Sequence, residues 1–146
     1  MKLFQIEEPE GSPLEAGDGP GAAVGIDVVG GTGRVAVALG GNAEILPGAD
    51  GARSLSVAVK QELLLGLRSR AEKQLARPVT HAVIAVDLAE RVGIEDAAAA
   101  AGITLLRLIE RAEAAALAKG AAPDEAPALG AAIAAEDAAA TLAPRP

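Results

Sequence analysis

The chain has no cysteine, no tryptophan and no tyrosine, and its single phenylalanine is Phe4. Without cysteine there is no disulfide, no thiol nucleophile, no thiolate zinc site and no self-held iron–sulfur cluster. One histidine, His81, excludes a histidine-rich metal centre. The lack of aromatics excludes stacking platforms for bases and aromatic cages for cations. Positive charge is also scarce: 13 Lys and Arg against 20 Asp and Glu leave a net charge of −7. Such a balance is poorly matched to a nucleic-acid backbone. No apolar run approaches the roughly 20 residues of a membrane span, so no membrane partner is expected. The start of the chain carries one basic residue, Lys2, and no secretory apolar segment, which sets the expected location in the cytoplasm.

The sequence does have aliphatic bulk. Its 146 residues suit one domain, and the 51% hydrophobic fraction comes largely from Ala, Val, Leu and Ile. Residues 1–21 read as an acidic Gly/Pro-rich tail, expected to be disordered because it buries little and repels itself. Leu3, Phe4 and Ile6 are its apolar exception, either a partner contact or a frayed terminus.

Residues 22–143 are expected to form one compact unit. Ala23 to Val29 is an apolar run bounded by glycines, a buried strand. Gly30-Gly31-Thr32-Gly33 reads as a turn and Arg34 to Leu39 as a central strand. Gly40-Gly41-Asn42 has hairpin-turn chemistry, with Ala43 to Leu46 pairing back. Ser54 to Val59 is compatible with a strand or a helix entry. Leu64, Leu67, Ala71 and Leu75 share one helical face, and that helix ends before Arg77-Pro78. His81 to Val86 is another buried strand. Asp87 and Glu90 form a capping-box pattern for a helix running through the alanine tract to Gly102. Ile103 to Ile109 is a fifth strand, Glu110 to Lys119 a helix closed by Gly120, and Pro127 or Ala128 starts a last helix. The order βββαβαβαα predicts an α/β fold, a mixed five-stranded sheet with helices on its faces. That is the ribonuclease-H-like architecture, half of the actin-like ATPase fold.

Four stretches also resemble the nucleotide-binding domain of the seventy-kilodalton heat-shock chaperones of the DnaK/HscA type. Leu3-Phe4-Gln5-Ile6 with Glu8-Pro9 is similar to the "LLQI.EP" leader of the HscA type. Val24-Gly25-Ile26-Asp27, Val35-Ala36 and Ala43-Glu44-Ile45-Leu46 resemble "GIDLGTTNS.VA" and its hairpin. Pro78 to Val86 resembles "PVTEAVITVPA", followed by Leu106-Arg107-Leu108-Ile109 and by Ala114 to Ala118, like "PTAAALAYG". Pro123-Asp124-Glu125-Ala126 and Ala128 to Ile133 resemble "DPDEAVALGAAIQA".

The resemblance implies chaperone ancestry, a protein partner from a chaperone or iron–sulfur assembly setting, and ATP or ADP with magnesium at Asp27 and Gly30, Gly31, Thr32 and Gly33. Asp27 then reads as the magnesium-associated carboxylate or as an acid that caps the glycine-rich turn. Other positions depart from the family pattern. Val29, Gly30 and Gly31 fall where the family has Gly-Thr-Thr, and Arg111 falls on the glutamate before "PTAAA". The second phosphate-binding strand pair, the phosphate lysine and the other lobe have no counterpart. The expectation is therefore a remnant that does not hydrolyse ATP and works by protein interaction, with Leu3, Phe4 and Ile6 as its contact. Two alternatives are a weak ATP/ADP module with a dimer-rebuilt cleft, and a ribonuclease-H-like two-metal nuclease using Asp27, Glu62 and Asp87.

Overall fold

The computed structural model describes residues 22–140; the expectations for residues 1–21, Leu3, Phe4 and Ile6 included, lie outside the described residues. The chain builds β1 (Ala22–Val29), β2 (Thr32–Leu39), β3 (Asn42–Ile45), β4 (Leu55–Ser56) and α1 (Lys60–Leu75). There follow β5 (Val79–Val86), a 3-10 turn (Leu88–Glu90), α2 (Ile94–Ala100), β6 (Thr104–Glu110), α3 (Arg111–Leu117) and α4 (Ala126–Ala140). One sheet runs β3-β2-β1-β5-β6, with β4 paired to β2. The hairpin strands β1, β2 and β3 pair antiparallel, whereas β1, β5 and β6 pair parallel. This is the mixed ribonuclease-H-like sheet, with a sixth strand of two residues added. Thr32 opposite Ser56 and Gly33 opposite Leu55 settle the open segment before α1 as an edge strand.

The sheet is covered on both sides, so its central strands are apolar at successive positions. Period-two alternation sorts them. Val24, Ile26 and Val28 of β1 and Ala82, Ile84 and Val86 of β5 face α1 and α2, packing with Leu63, Leu64, Leu67 and Ile94. Val83 and Ala85 face the other way, toward Ala114, Ala131 and Ala135 of α3 and α4. Gly25 and Asp27, out of phase with Val24 and Ile26, share that second face.

Composition follows from distance on the second face. A Cβ on Gly25 would sit 2.0 Å from the backbone N of Ala132, and one on Gly130 would sit 1.6 Å from the Ala114 carbonyl oxygen. Backbone therefore touches backbone between β1 and α4 and between α3 and α4. Only small residues fit such a seam, which is why α4 buries Ala128, Ala131, Ala132 and Ala135 rather than leucines.

Three local expectations are corrected. The first turn is Gly30-Gly31 alone; Thr32 and Gly33 already belong to β2, where Thr32 Oγ1 lies 3.3 Å from Ser56 Oγ. The long helix from Asp87 is absent: a 3-10 turn, then Gly93 at φ 88°, delay α2 until Ile94. Asp87 makes no side-chain cap bond, because the Glu90 N–H donates instead to the Asp87 carbonyl oxygen at 2.8 Å and closes the 3-10 turn. The end of α2 does follow the sequence, with Ile103 N–H donating to Ala98 O (2.9 Å) and Gly102 N–H to Ala99 O (3.0 Å). Those two bonds make a Schellman closure around Gly102, at φ 75°.

The seam predicts a ranking. Gly25→Ala forces α4 off the sheet and is expected to cost about 3 kcal/mol or more in urea unfolding. Gly30→Ala, whose added carbon meets nothing within 4 Å, carries only the left-handed backbone cost of about 1–2 kcal/mol. Equal costs for the two variants would mean that α4 is not seated on Gly25.

Candidate functional site

The carboxyl ends of β1 and β5 lie side by side, with Asp27 opposite Ala85 and Val28 opposite Val86. Asp27 is the one fully buried charged side chain among the described residues, 1% exposed. A carboxylate so placed needs a partner, since an unpaired buried charge is expensive. The partner comes from the strand-to-helix bend after β6. Glu110 ends the strand and Arg111 begins α3, which returns Arg111 over the ends of β5 and β1.

Arg111 Nε donates to Asp27 Oδ1 at 2.7 Å and Nη2 donates to Oδ2 at 3.2 Å. This is the two-pronged guanidinium–carboxylate geometry. Arg111 Nη1 also stands 4.0 Å from Oδ1 of Asp87, which is half exposed. Burial pushes the Asp27 carboxyl above the usual carboxylate range, while the hydrogen bonds and charge of Arg111 and the charge of Arg34 pull it back. The Arg111 guanidinium is held still more firmly protonated by its bond to Asp27. Arg34, opposite Asp27 on β2, reaches the other way, its Nη2 lying 3.4 Å from Asp124 Oδ2.

The glycine turn is also occupied. Gly30 N–H points at the Glu90 carboxylate, 2.8 Å from Oε1 and 3.1 Å from Oε2. Lys60 Nζ donates to Gly30 O at 3.0 Å and stands 3.5 Å from Glu90 Oε1. The structure thus gathers Asp27, Arg111 and Asp87 beside Gly30, Glu90 and Lys60. Thr32 and Gly33 lie back along β2, and Glu62 is exposed in the first turn of α1, away from the other acids. Among the described residues no three His, Asp or Glu side chains gather to hold a metal ion. The third carboxylate of the nuclease alternative is therefore not supplied.

Sequence reasoning missed the Arg111–Asp27 pair and the role of Glu90. A signal for the first was present. A cation in the first turn of a helix opposes the helix dipole, so Arg111 needed an anion from elsewhere in the fold. Nothing in the local sequence separates a Glu90 that caps its own turn from one that reaches a hairpin 60 residues away.

The sheet order, the helices on both faces and a site at the carboxyl ends of the parallel strands define one ribonuclease-H-like unit of the actin-like ATPase fold. Residues 55–125 match the family model described as Hsp70 protein. Among curated relatives, the chaperone protein HscA homologue of Azoarcus sp. (strain BH72) is 47% identical over 68 residues, covering 44% of this chain and 11% of that protein. The Acinetobacter baumannii (strain ATCC 17978) homologue is 43% identical over 72 residues, covering 47% and 12%. That of Pseudoalteromonas atlantica (strain T6c) is 44% identical over 68 residues, covering 44% and 11%. Over these residues the chain is similar to Hsp70-type chaperones, to part of the HscA/DnaK nucleotide-binding domain. It matches only about a tenth of the length of these relatives. No helix among the described residues is long and apolar enough to cross a membrane.

Hsp70 proteins bind ATP or ADP with magnesium. Magnesium needs carboxylate oxygens or ordered waters in near-octahedral array. Here both Asp27 oxygens already accept from Arg111, and a guanidinium holds the space beside them. The residues present do not fit a magnesium–nucleotide complex.

The pair predicts an asymmetry. Arg111→Ala leaves a buried lone carboxylate and is expected to cost about 3–5 kcal/mol at pH 7. Asp27→Asn costs less, because Arg111 is 23% exposed and can turn to water. With its folded pKa above the unfolded value of about 3.9, Asp27 contributes stability at low pH that is lost as pH rises through the folded pKa. The stability of the wild type relative to Asp27→Asn should therefore fall as pH rises from about 4. Denaturant melts at several pH values check both statements.

Proposed function

We propose that the chain is a chaperone-derived module that does not hydrolyse ATP and acts by binding protein. The observation that supports this reading most directly is Arg111 on Asp27. A cation neutralises the acid that a magnesium-dependent ATPase would keep available, and it does so with both carboxylate oxygens engaged. What is kept, on this reading, is an α/β platform whose residues 55–125 match the Hsp70 model. On this reading its partner is a protein of that setting, either a chaperone or a component of iron–sulfur cluster assembly, met in the cytoplasm. Asp27, Gly30, Gly31, Thr32 and Gly33 are then inherited structural positions, and Leu3, Phe4 and Ile6 are the proposed contact.

Calorimetric titration with Mg-ATP and Mg-ADP tests the nucleotide half. The expected result is no heat up to about 1 mM, corresponding to less than about 4 kcal/mol of binding. Micromolar binding by the wild type that disappears in Asp27→Asn would overturn the reading and favour a cleft rebuilt between two copies. The partner half is tested with purified HscA-type chaperone and iron–sulfur scaffold protein. Binding to either is expected to weaken at least tenfold when Leu3, Phe4 and Ile6 are all changed to Ser; absence of binding to both removes the proposed partners.

A further inference from the structure

The first hairpin turn shows an anion site with an anion already in it. Gly30 takes φ 57°, which turns its N–H out of the ladder, and a Cβ there would meet nothing within 4 Å, so the turn is open to solvent. Both oxygens of Glu90 face that N–H, and Lys60 stands beside them while also holding the Gly30 carbonyl. An outward N–H, a lysine and open space form a small oxyanion cradle. Glu90 reaches it from the 3-10 turn after β5, forgoing the capping-box bond from the Asp87 N–H that a glutamate three residues on would accept.

The second hairpin supplies the comparison. Its turn is also Gly-Gly, and its N–H groups also meet a carboxylate: Gly40 N lies 2.6 Å from Glu136 Oε2 and Gly41 N lies 2.9 Å from Oε1. Among the described ion pairs none involves Glu136, whereas Glu90 is paired with Lys60. The second turn is an N–H cradle without a cation.

We propose that Glu90 is the resident anion of the first turn, a built-in occupant that closes the Gly30–Lys60 cradle to external oxyanions such as inorganic phosphate. This rests on the reading above that no nucleotide phosphate fills the turn. It goes further in naming the group that keeps phosphate out, and the segment, Asp87 to Gly93, that this contact ties across the ends of β1 and β5.

The probe is inorganic phosphate without magnesium, read on backbone amide spectra of the full chain. In the wild type the Gly30 amide should not respond to phosphate at about 10 mM. In Glu90→Ala the Gly30 amide and the residues around Lys60 should shift with phosphate, the Gly30 response rising at least tenfold. Glu136→Ala should gain no comparable response at Gly40 and Gly41. If Glu90→Ala loses its dispersed spectrum, the same titration is read on Glu90→Gln, which keeps the shape and drops the charge, with the response again expected to rise. Equal responses of wild type and variant, including none in either, overturn the proposal. So does an equal gain at Gly40–Gly41 in Glu136→Ala, which would make the lysine irrelevant. A wild type that binds Mg-ATP fails the function reading instead, in a separate titration.

Discussion

A carboxylate sealed at the end of the central strand dictates much of what surrounds it. Asp27 cannot stay charged there without a donor, since at 1% exposure it is shut off from bulk solvent. The donor arrives only if β6 bends directly into α3, because Arg111 is the first residue after the bend. α3 in turn stays in place because it is pressed backbone to backbone against α4 at Gly130, and α4 against β1 at Gly25. One ion pair therefore closes a loop of contacts running from β1 through α3 and α4 back to β1. Losing the arginine is costlier than losing the carboxylate, since only Arg111 can reach solvent.

The two faces of the sheet are held by different physics. Against α1 and α2 the contacts are broad aliphatic side chains, Leu63, Leu64, Leu67 and Ile94 on valines and isoleucines, where buried area does the stabilising. Against α3 and α4 the side chains are mostly methyl groups, and the stabilisation comes from close approach and dense packing. The charged site sits on the second face. Rigid backbone contact at Gly25, two residues before Asp27, fixes where the carboxylate stands.

The pattern of apolar runs made the sheet legible, because β1, β2 and β5 are packed on both faces and carry apolar residues at successive positions. The Schellman closure at Gly102 was legible from a glycine behind an alanine tract. The missing half of the Asp87 helix was not, because alanine propensity runs on toward Gly102 while Gly93, a single residue in the left-handed region, decides where α2 begins. The edge strand Leu55–Ser56 is two residues long and leaves no period to detect. At the site, Asp27 was visible as an acid inside an apolar run. Its partner lay 84 residues away, and long-range pairing has no local signature.

A fold related to a ligand-binding domain faces a definite problem when no ligand completes it. The donors that a phosphate would satisfy still need acceptors, and the acids that a cation would neutralise still need charge. In this chain the answers are internal. Arg111 stands against Asp27 as a cation would, and Glu90 stands at Gly30 N–H as a phosphate oxygen would. Arg34 of β2 with Asp124, and Arg53 of the loop before β4 with Glu125, tie down the loop before α4. The hydrogen bond and charge of Arg53 hold the Glu125 carboxyl below its usual range, so that contact strengthens the fold above about pH 4 and is lost as pH falls through the lowered pKa. A tethered partner of this kind loses no translational entropy on binding. On the reading proposed above, these internal pairs occupy the carboxylate oxygens and the N–H group that nucleotide chemistry would need.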